Sequence, residues 1–292
     1  MAHKAGFVNI VGSPNVGKST LMNQLVGERL SIITSKAQTT RHRIMGIVNG
    51  EDFQIVYSDT PGMIKPHYKM QEGMMNFVSS AVSDADIFLL VTDVEEETPL
   101  NEELWEKVAK TTTPKLLIIN KIDLIDQQKL EVLVERWAKK LPGVSILPIS
   151  ALNKVNHDIV LQWILKNLPE SPPYFDKDQL TDKPERFFTA EIIREKILLN
   201  YDKEIPYSVE VEVESFKRDA KITRISVVIY VARDSQKAII IGHQGSMLKK
   251  VGTAARKEME DFMQEKVFLE LHVKVQKEWR SDDKQLKRFG YL

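Results

Sequence analysis

The chain has 292 residues, 41 basic and 41 acidic side chains, 42% hydrophobic residues and no cysteine. At about 150 residues per domain, that length predicts two domains, and the apolar content excludes a wholly disordered or collagen-like chain. The lack of cysteine excludes a disulfide scaffold, a Cys-based zinc site and thiol catalysis, while a net charge of zero argues at first sight against a nucleic-acid binder.

Along the first half, short β-branched runs alternate with helical patterns. Residues 7–11, 54–58, 87–92, 115–119 and 145–149 read as strands, and 19–25, 74–82, 101–110, 127–140 and 155–168 as helices. This alternation predicts an α/β domain with a mostly parallel sheet covered on both faces. Residues 44–48, Asn49-Gly50 and 54–58 predict a hairpin that adds one antiparallel strand. No apolar run approaches the roughly 18 residues of a membrane span, and the N-terminus lacks signal-peptide character.

The first loop, Gly12-Ser13-Pro14-Asn15-Val16-Gly17-Lys18-Ser19, matches G-x-x-x-x-G-K-[ST] between a predicted strand and a predicted helix. Glycines let backbone N–H groups approach a phosphate, and the helix N-terminus adds its positive end. Lys18 is expected on the β- and γ-phosphates and the Ser19 hydroxyl on Mg²⁺. Asn120-Lys121-Ile122-Asp123 follows a strand farther along the chain. The Asp123 carboxylate can accept from N1–H and the 2-amino group of guanine, which adenine lacks. Asn120 can meet the N7 edge, the Lys121 stem can lie over the ring, and Ser150-Ala151-Leu152 can offer a backbone N–H to O6. Together these select GTP and GDP.

Two segments read as switches. Asp59-Thr60-Pro61-Gly62 supplies a carboxylate toward Mg²⁺ through water and a Gly62 N–H toward the γ-phosphate. Residues 35–43 carry Thr40, the favoured hydroxyl for the Mg²⁺ shell, with Thr39 as the alternative. Met63 stands where Ras-like enzymes place a water-orienting Gln, which predicts slow intrinsic hydrolysis. Asn15 is either a ligand for an assisting K⁺ ion or only a shaper of its loop.

The proline-rich polar stretch 169–186 marks a linker. It divides the chain into domain 1–170, linker 171–186 and domain 187–292. The second half reads helix 187–200, strand 207–216, strand 222–230, helix 245–264 and strand 267–276. Gly242-His243-Gln244-Gly245 is a G-x-x-G loop of the kind a KH fold uses to clamp a nucleic-acid backbone. Residues 217–257 hold ten basic groups against two acidic ones, a local +8 that the whole-chain balance hides. Lys249, Lys250 and Arg256 belong to that run. The tail places Trp279, Phe289 and Tyr291 among basic residues. That composition suits either stacking on single-stranded RNA or packing on its own domain. The six histidines show no metal-ligand helical spacing, so no zinc site is expected.

In order and identity, the loop through Thr20, the Gln38-Thr-Thr-Arg-His-Arg43 segment, Asp-Thr-Pro-Gly, Asn-Lys-Ile-Asp and Ser-Ala-Leu resemble the Era family of bacterial GTPases. So do residues 190–196, Ile241-Gly-His-Gln-Gly245 and 268–275. The resemblance covers nearly the whole chain. It implies a P-loop Ras-like GTPase domain followed by an α+β type II KH domain, with nucleotide held by Gly12, Asn15, Val16, Gly17, Lys18, Ser19 and Thr20. It also implies binding to small-subunit ribosomal RNA near the 3′ end, a role on the pre-30S particle, and a cytoplasmic monomer with a peripheral inner-membrane fraction. Ser13, often Arg in relatives, and His243-Gln244 depart from the family pattern, and the latter pair puts RNA affinity in question. The alternatives are a P-loop phosphotransferase, a GTPase coupled to another RNA-directed process, and an RNA-binding module with a vestigial nucleotide site.

Overall fold

The computed structural model describes residues 2–292. The chain divides into two compact units: one runs to His67 and resumes over Met74–Asp182, and the other holds Tyr68–Gly73 and Lys183–Leu292.

In the first unit the strands are β1 (Lys4–Gly12), β2 (Ile44–Asn49), β3 (Phe53–Asp59), β4 (Ile87–Asp93), β5 (Lys115–Asn120) and β6 (Ser145–Pro148). They form one sheet in the order β2-β3-β1-β4-β5-β6. Only β2 runs antiparallel, paired with β3 across the Asn49-Gly50 turn. β1 and β4 are buried on both sides and mostly apolar, as a parallel sheet covered on both faces requires. The accompanying helices are α1 (Lys18–Val26), α2 (Lys69–Asp84), α3 (Glu102–Ala109), α4 (Gln127–Lys140) and α5 (His157–Asn167). The core on one face joins Phe88, Leu90, Leu117 and Ile119 to Trp105 and Trp137, whose rings lie 5.6 Å apart.

The stretch read as linker 171–186 divides at its end. Residues 171–182 lie along β2 as a strap inside the first unit, and a helix starts at Glu185. The Ile47 N–H donates to Leu180 O, the Thr181 hydroxyl to Met45 O at 2.6 Å, and the Met45 N–H to Asp182 Oδ1 at 2.8 Å. Gln54, fully buried in β3, accepts from the N–H groups of Tyr174 and Phe175 and donates to Phe175 O. The strap thus supplies partners that the outer edge of β2 would otherwise lack.

In the second unit, α6 (Glu185–Asn200) precedes β7 (Val209–Arg218) and β8 (Thr223–Val231). Then come α7 (Asp234–Ile241), α8 (Ser246–Met263), β9 (Val267–Val275) and α9 (Asp283–Arg288). The sheet order is β7-β8-β9, antiparallel then parallel. The Val/Glu alternation of β7 sends Val209, Val211 and Val213 toward a core shared with Ile193, Ile197, Val251, Ala255 and Met259. The glutamates face the other side, where the tail packs. The Tyr291 hydroxyl donates to Glu210 at 2.8 Å, and Arg288 forks onto Glu212. Trp279 is fully buried, and its indole N–H donates to Ser208 O. The tail aromatics Trp279 and Tyr291 therefore pack on their own domain. The eight-residue helix α7 escaped the sequence reading, because Ile239-Ile240-Ile241 is β-branched and follows a strand.

Candidate nucleotide site and nucleic-acid interface

The carboxyl ends of β1, β3, β4 and β5 and the loop after β6 surround one cavity of about 710 Å³ in the first unit. Such crevices at the strand ends of an open parallel sheet are where this architecture binds ligands. Gly12 and Gly17 allow the first loop to curl there. A Cβ on Gly12 would stand 2.1 Å from Val91 O, and one on Gly17, at φ +96°, would stand 2.1 Å from the Asn120 amide nitrogen. Lys18 opens α1, and its ammonium donates to Ser13 O at 2.7 Å, bridging its own loop. Burial pulls the Lys18 pKa down to about 8, against the opposing pull of Asp59 and Glu96.

At the same end three oxygen-bearing side chains converge. The Ser19 hydroxyl lies 2.9 Å from the Thr40 hydroxyl and donates to Asp59 Oδ2 at 2.7 Å, and Thr40 reaches the same oxygen at 3.2 Å. Asp59 is fully buried, and its Oδ1 has no hydrogen-bond partner among the described residues. Burial raises the Asp59 pKa, while Lys18, Ser19, Ser31 and Thr40 oppose the shift. A buried carboxylate with an unused oxygen beside two hydroxyls is a hard, oxygen-rich donor set that suits Mg²⁺. Thr39 instead bonds Thr34 and Lys36 O, so the geometry favours Thr40 at this point. Gly62 lines the cavity beside Pro14, whereas Met63 is fully buried in the core and presents no group to a water. Asn15 is exposed on the cavity at φ +64° and donates to Ser35 O at 3.3 Å, which leaves its amide oxygen unengaged by that bond.

At the other end, Asn120 is buried and ties two loops together. It donates to Val16 O at 2.8 Å and accepts from the Ala151 N–H at 2.9 Å, leaving one amide hydrogen for a ligand. Asp123 is exposed on the cavity and steadied through Oδ1 by the buried Ser150 hydroxyl. The Lys121 ammonium is fixed on Asp93 at 2.5 Å, which lays its stem along the base end. Leu152 and the neighbouring Leu124 line the same cavity, as does Ile33; Leu124 and Ile33 are exposed, and sequence reasoning missed both. Thr20 lines the phosphate end, while Gly12 and Val16 shape the loop from behind.

The second unit presents a different surface. Gly242 (φ +74°), Gln244 (φ +49°) and Gly245 (φ +78°) form a tight turn between α7 and α8. A Cβ on Gly245 would meet nothing within 4 Å, so its requirement is the left-handed backbone. His243, Gln244, Lys249 and Lys250 are exposed there, with Ile239 exposed beside them on α7. Arg256 lies elsewhere: it is about 15 Å along α8 from the loop and pairs with Glu260 at 2.9 Å. The local +8 is likewise smaller in space than in sequence. Arg218 pairs with Glu185 and Glu265, and Arg224 with Asp219; Glu185, Glu260 and Glu265 all lie outside the 217–257 window.

Comparison with known proteins agrees on both units. Residues 7–121 match the 50S ribosome-binding GTPase family, and residues 204–280 match the KH domain family. GTPase Era of Ruminiclostridium cellulolyticum is 43% identical over 100% of this chain and 98% of its own length. GTPase Era of Syntrophus aciditrophicus is 45% identical over 99% and 95%. A solved structure of Era with MgGDPNP and nucleotides 1506–1542 of 16S ribosomal RNA superposes with a TM-score of 0.95 at 39% identity, covering 99% of both chains. An Aquifex aeolicus Era variant bound to GDP and AlF₄⁻ gives 0.94, again at 39% identity over 99% of both chains. A cavity with a phosphate end and a guanine end, followed by a G-x-x-G domain and matched along the whole length, places the chain in the Era family of GTPases.

Proposed function

We propose that this chain is a GTP-hydrolysing switch that holds small-subunit ribosomal RNA near its 3′ end and assists 30S subunit assembly. The observation that carries the reading is the junction of Lys18, Ser19, Thr40 and Asp59 at one end of a single cavity with Asn120, Lys121 and Asp123 at the other. Gly12–Gly17 and the α1 N-terminus cradle the phosphates, Lys18 meets the β- and γ-oxygens, and the Gly62 N–H meets the γ-phosphate. Ser19, Thr40 and, through water, Asp59 hold Mg²⁺, which supplies positive charge against the phosphate oxygens. With Met63 in the core, the side chain directly after Gly62 cannot orient the attacking water, and unassisted turnover is slow.

Asn15 offers its amide oxygen to a K⁺ ion at the phosphates. Matched hydrolysis rates in KCl and NaCl at equal ionic strength would remove that role. The G-x-x-G loop clamps RNA backbone, with Lys249 and Lys250 supplying charge. GTP and RNA tighten each other's binding reciprocally, as linkage demands of coupled sites. A monomer acting on the pre-30S particle, in the cytoplasm with a fraction on the inner membrane surface, completes the reading; family likeness supports it. No helix among the described residues is long and apolar enough to cross a membrane.

Two measurements test the proposal. Release of inorganic phosphate from GTP without a phosphorylated acceptor separates hydrolysis from phosphotransfer. Cross-linking to whole-cell RNA with sequencing should enrich the 3′ end of small-subunit RNA, and enrichment elsewhere would reject the assembly role.

A further inference from the structure

Arg43 stands at the end of the segment that carries Thr40 and is almost fully buried, yet it touches nothing in the nucleotide cavity. Its guanidinium forks onto Asp84, the last residue of α2, with Nη1–Oδ2 at 2.6 Å and Nη2–Oδ1 at 3.0 Å. Nε donates to the Ser58 hydroxyl at 2.6 Å, Nη1 reaches the Ser80 hydroxyl at 3.3 Å, and Nη2 reaches Asn9 Oδ1 at 3.3 Å. Asn9 and Ser58 are cross-strand partners on β1 and β3, so they face the same side of the sheet. Asn9 in turn donates to Asp84 and to Ala81 O, which closes the network against α2.

Three things meet at this point. Ser58 directly precedes Asp59. Arg43 directly precedes Ile44, whose register partner in β3 is Asp59. Asp84 ends the helix that follows Gly62. The guanidinium therefore pins the entry of β2 to the strand bearing Asp59 and to the helix beyond Gly62. A slip of β2 by one residue would turn its side chains to the opposite face and draw Thr40 away from Ser19 and Asp59. A fork of charge-assisted bonds fixes both distance and plane, which an ammonium cannot do.

We propose that Arg43 is a positioning residue for the metal end of the GTP site: through the register of β2 it holds Thr40 within reach of Ser19 and Asp59. It touches neither nucleotide nor metal.

The test uses the full-length protein with Arg43→Lys, Ser58→Ala and the apolar double variant Arg43→Met/Asp84→Leu. In Arg43→Lys and Ser58→Ala, the Mg²⁺ concentration for half-maximal GTP hydrolysis should rise about tenfold and kcat should fall. GDP affinity, measured with a fluorescent GDP analogue, should stay within about twofold, because Thr40 is not part of the loop that cradles GDP. The double variant removes both charges together, replacing the buried guanidinium by an apolar chain and the exposed Asp84 carboxylate by Leu, so with its melting temperature read alongside it should still show the raised Mg²⁺ requirement. An unchanged Mg²⁺ midpoint in the folded Lys and Ala variants would overturn the proposal. So would equal losses of GDP and GTP affinity with recovery of both in the double variant, which would mark Arg43 as purely structural.

Discussion

Gly17→Ala tests how the base-reading and phosphate-holding ends are joined. At φ +96° an L side chain is in left-handed backbone, which costs about 1–2 kcal/mol. The new Cβ would stand 2.1 Å from the Asn120 amide nitrogen, so Asn120 must leave its place. Its bonds to Val16 O and from the Ala151 N–H would then be lost, at about 1 kcal/mol or more each because the groups are buried. The sum is about 4 kcal/mol, roughly a thousandfold in Kd. The free protein can relax the loop, so most of the penalty should appear when nucleotide forces the cradle to form. Titration with a fluorescent GDP analogue reads it, with a melting curve recording any remainder. In an Asn120→Ala background the clash is gone, and Gly17→Ala should then weaken binding only about tenfold, the backbone term alone. Binding within threefold of the parent with an unchanged melting temperature would refute the reasoning. The same penalty in both backgrounds would refute its assignment to Asn120.

The Lys18 pKa of about 8 in the free protein makes nucleotide binding pH-dependent. Phosphates favour the charged form, so Kd for GDP should be flat below pH 8 and rise toward tenfold by pH 9; a flat profile would exclude proton uptake at Lys18. The same shift lies below the unfolded value, so charged Lys18 destabilises the free fold at neutral pH, and that penalty should fade as pH climbs from 8 toward 10.5. Gln54→Leu removes the receptor for Tyr174 and Phe175, so limited proteolysis within 171–182 should accelerate at least tenfold; unchanged cleavage would mean the strap holds without it. Lys249→Ala should weaken RNA binding and reduce the salt slope by about one, while Arg218→Ala, whose charge is paired on the surface, should change either little.

The nucleotide site is legible in sequence because its physics is local. Glycine spacing, a lysine at a helix start and a short polar box after a strand each carry their own reason. The supporting connections are not local. Asn120 reads as a base contact, and only the fold shows that it also ties residue 16 to residue 151. Gln54 merely opens a strand in the sequence reading, and its main-chain partners in the strap lie about 120 positions away. Arg256 falls in the basic run by sequence, yet helix geometry carries it away from the G-x-x-G turn and toward Glu260. The tail aromatics fit RNA stacking and self-packing equally well on composition, and burial decides for packing in Trp279 and Tyr291.

The strap along β2 also defines what counts as a separable piece of this protein. A fragment ending at residue 170 would contain every residue lining the cavity but would strip the outer edge of β2 and leave the buried amide of Gln54 without its main-chain partners. Such an edge recruits other chains, so that fragment should self-associate and bind nucleotide poorly for reasons unrelated to the site. A cut after Asp182 keeps the edge covered, so a fragment ending there should stay monomeric and bind nucleotide where the shorter one does not.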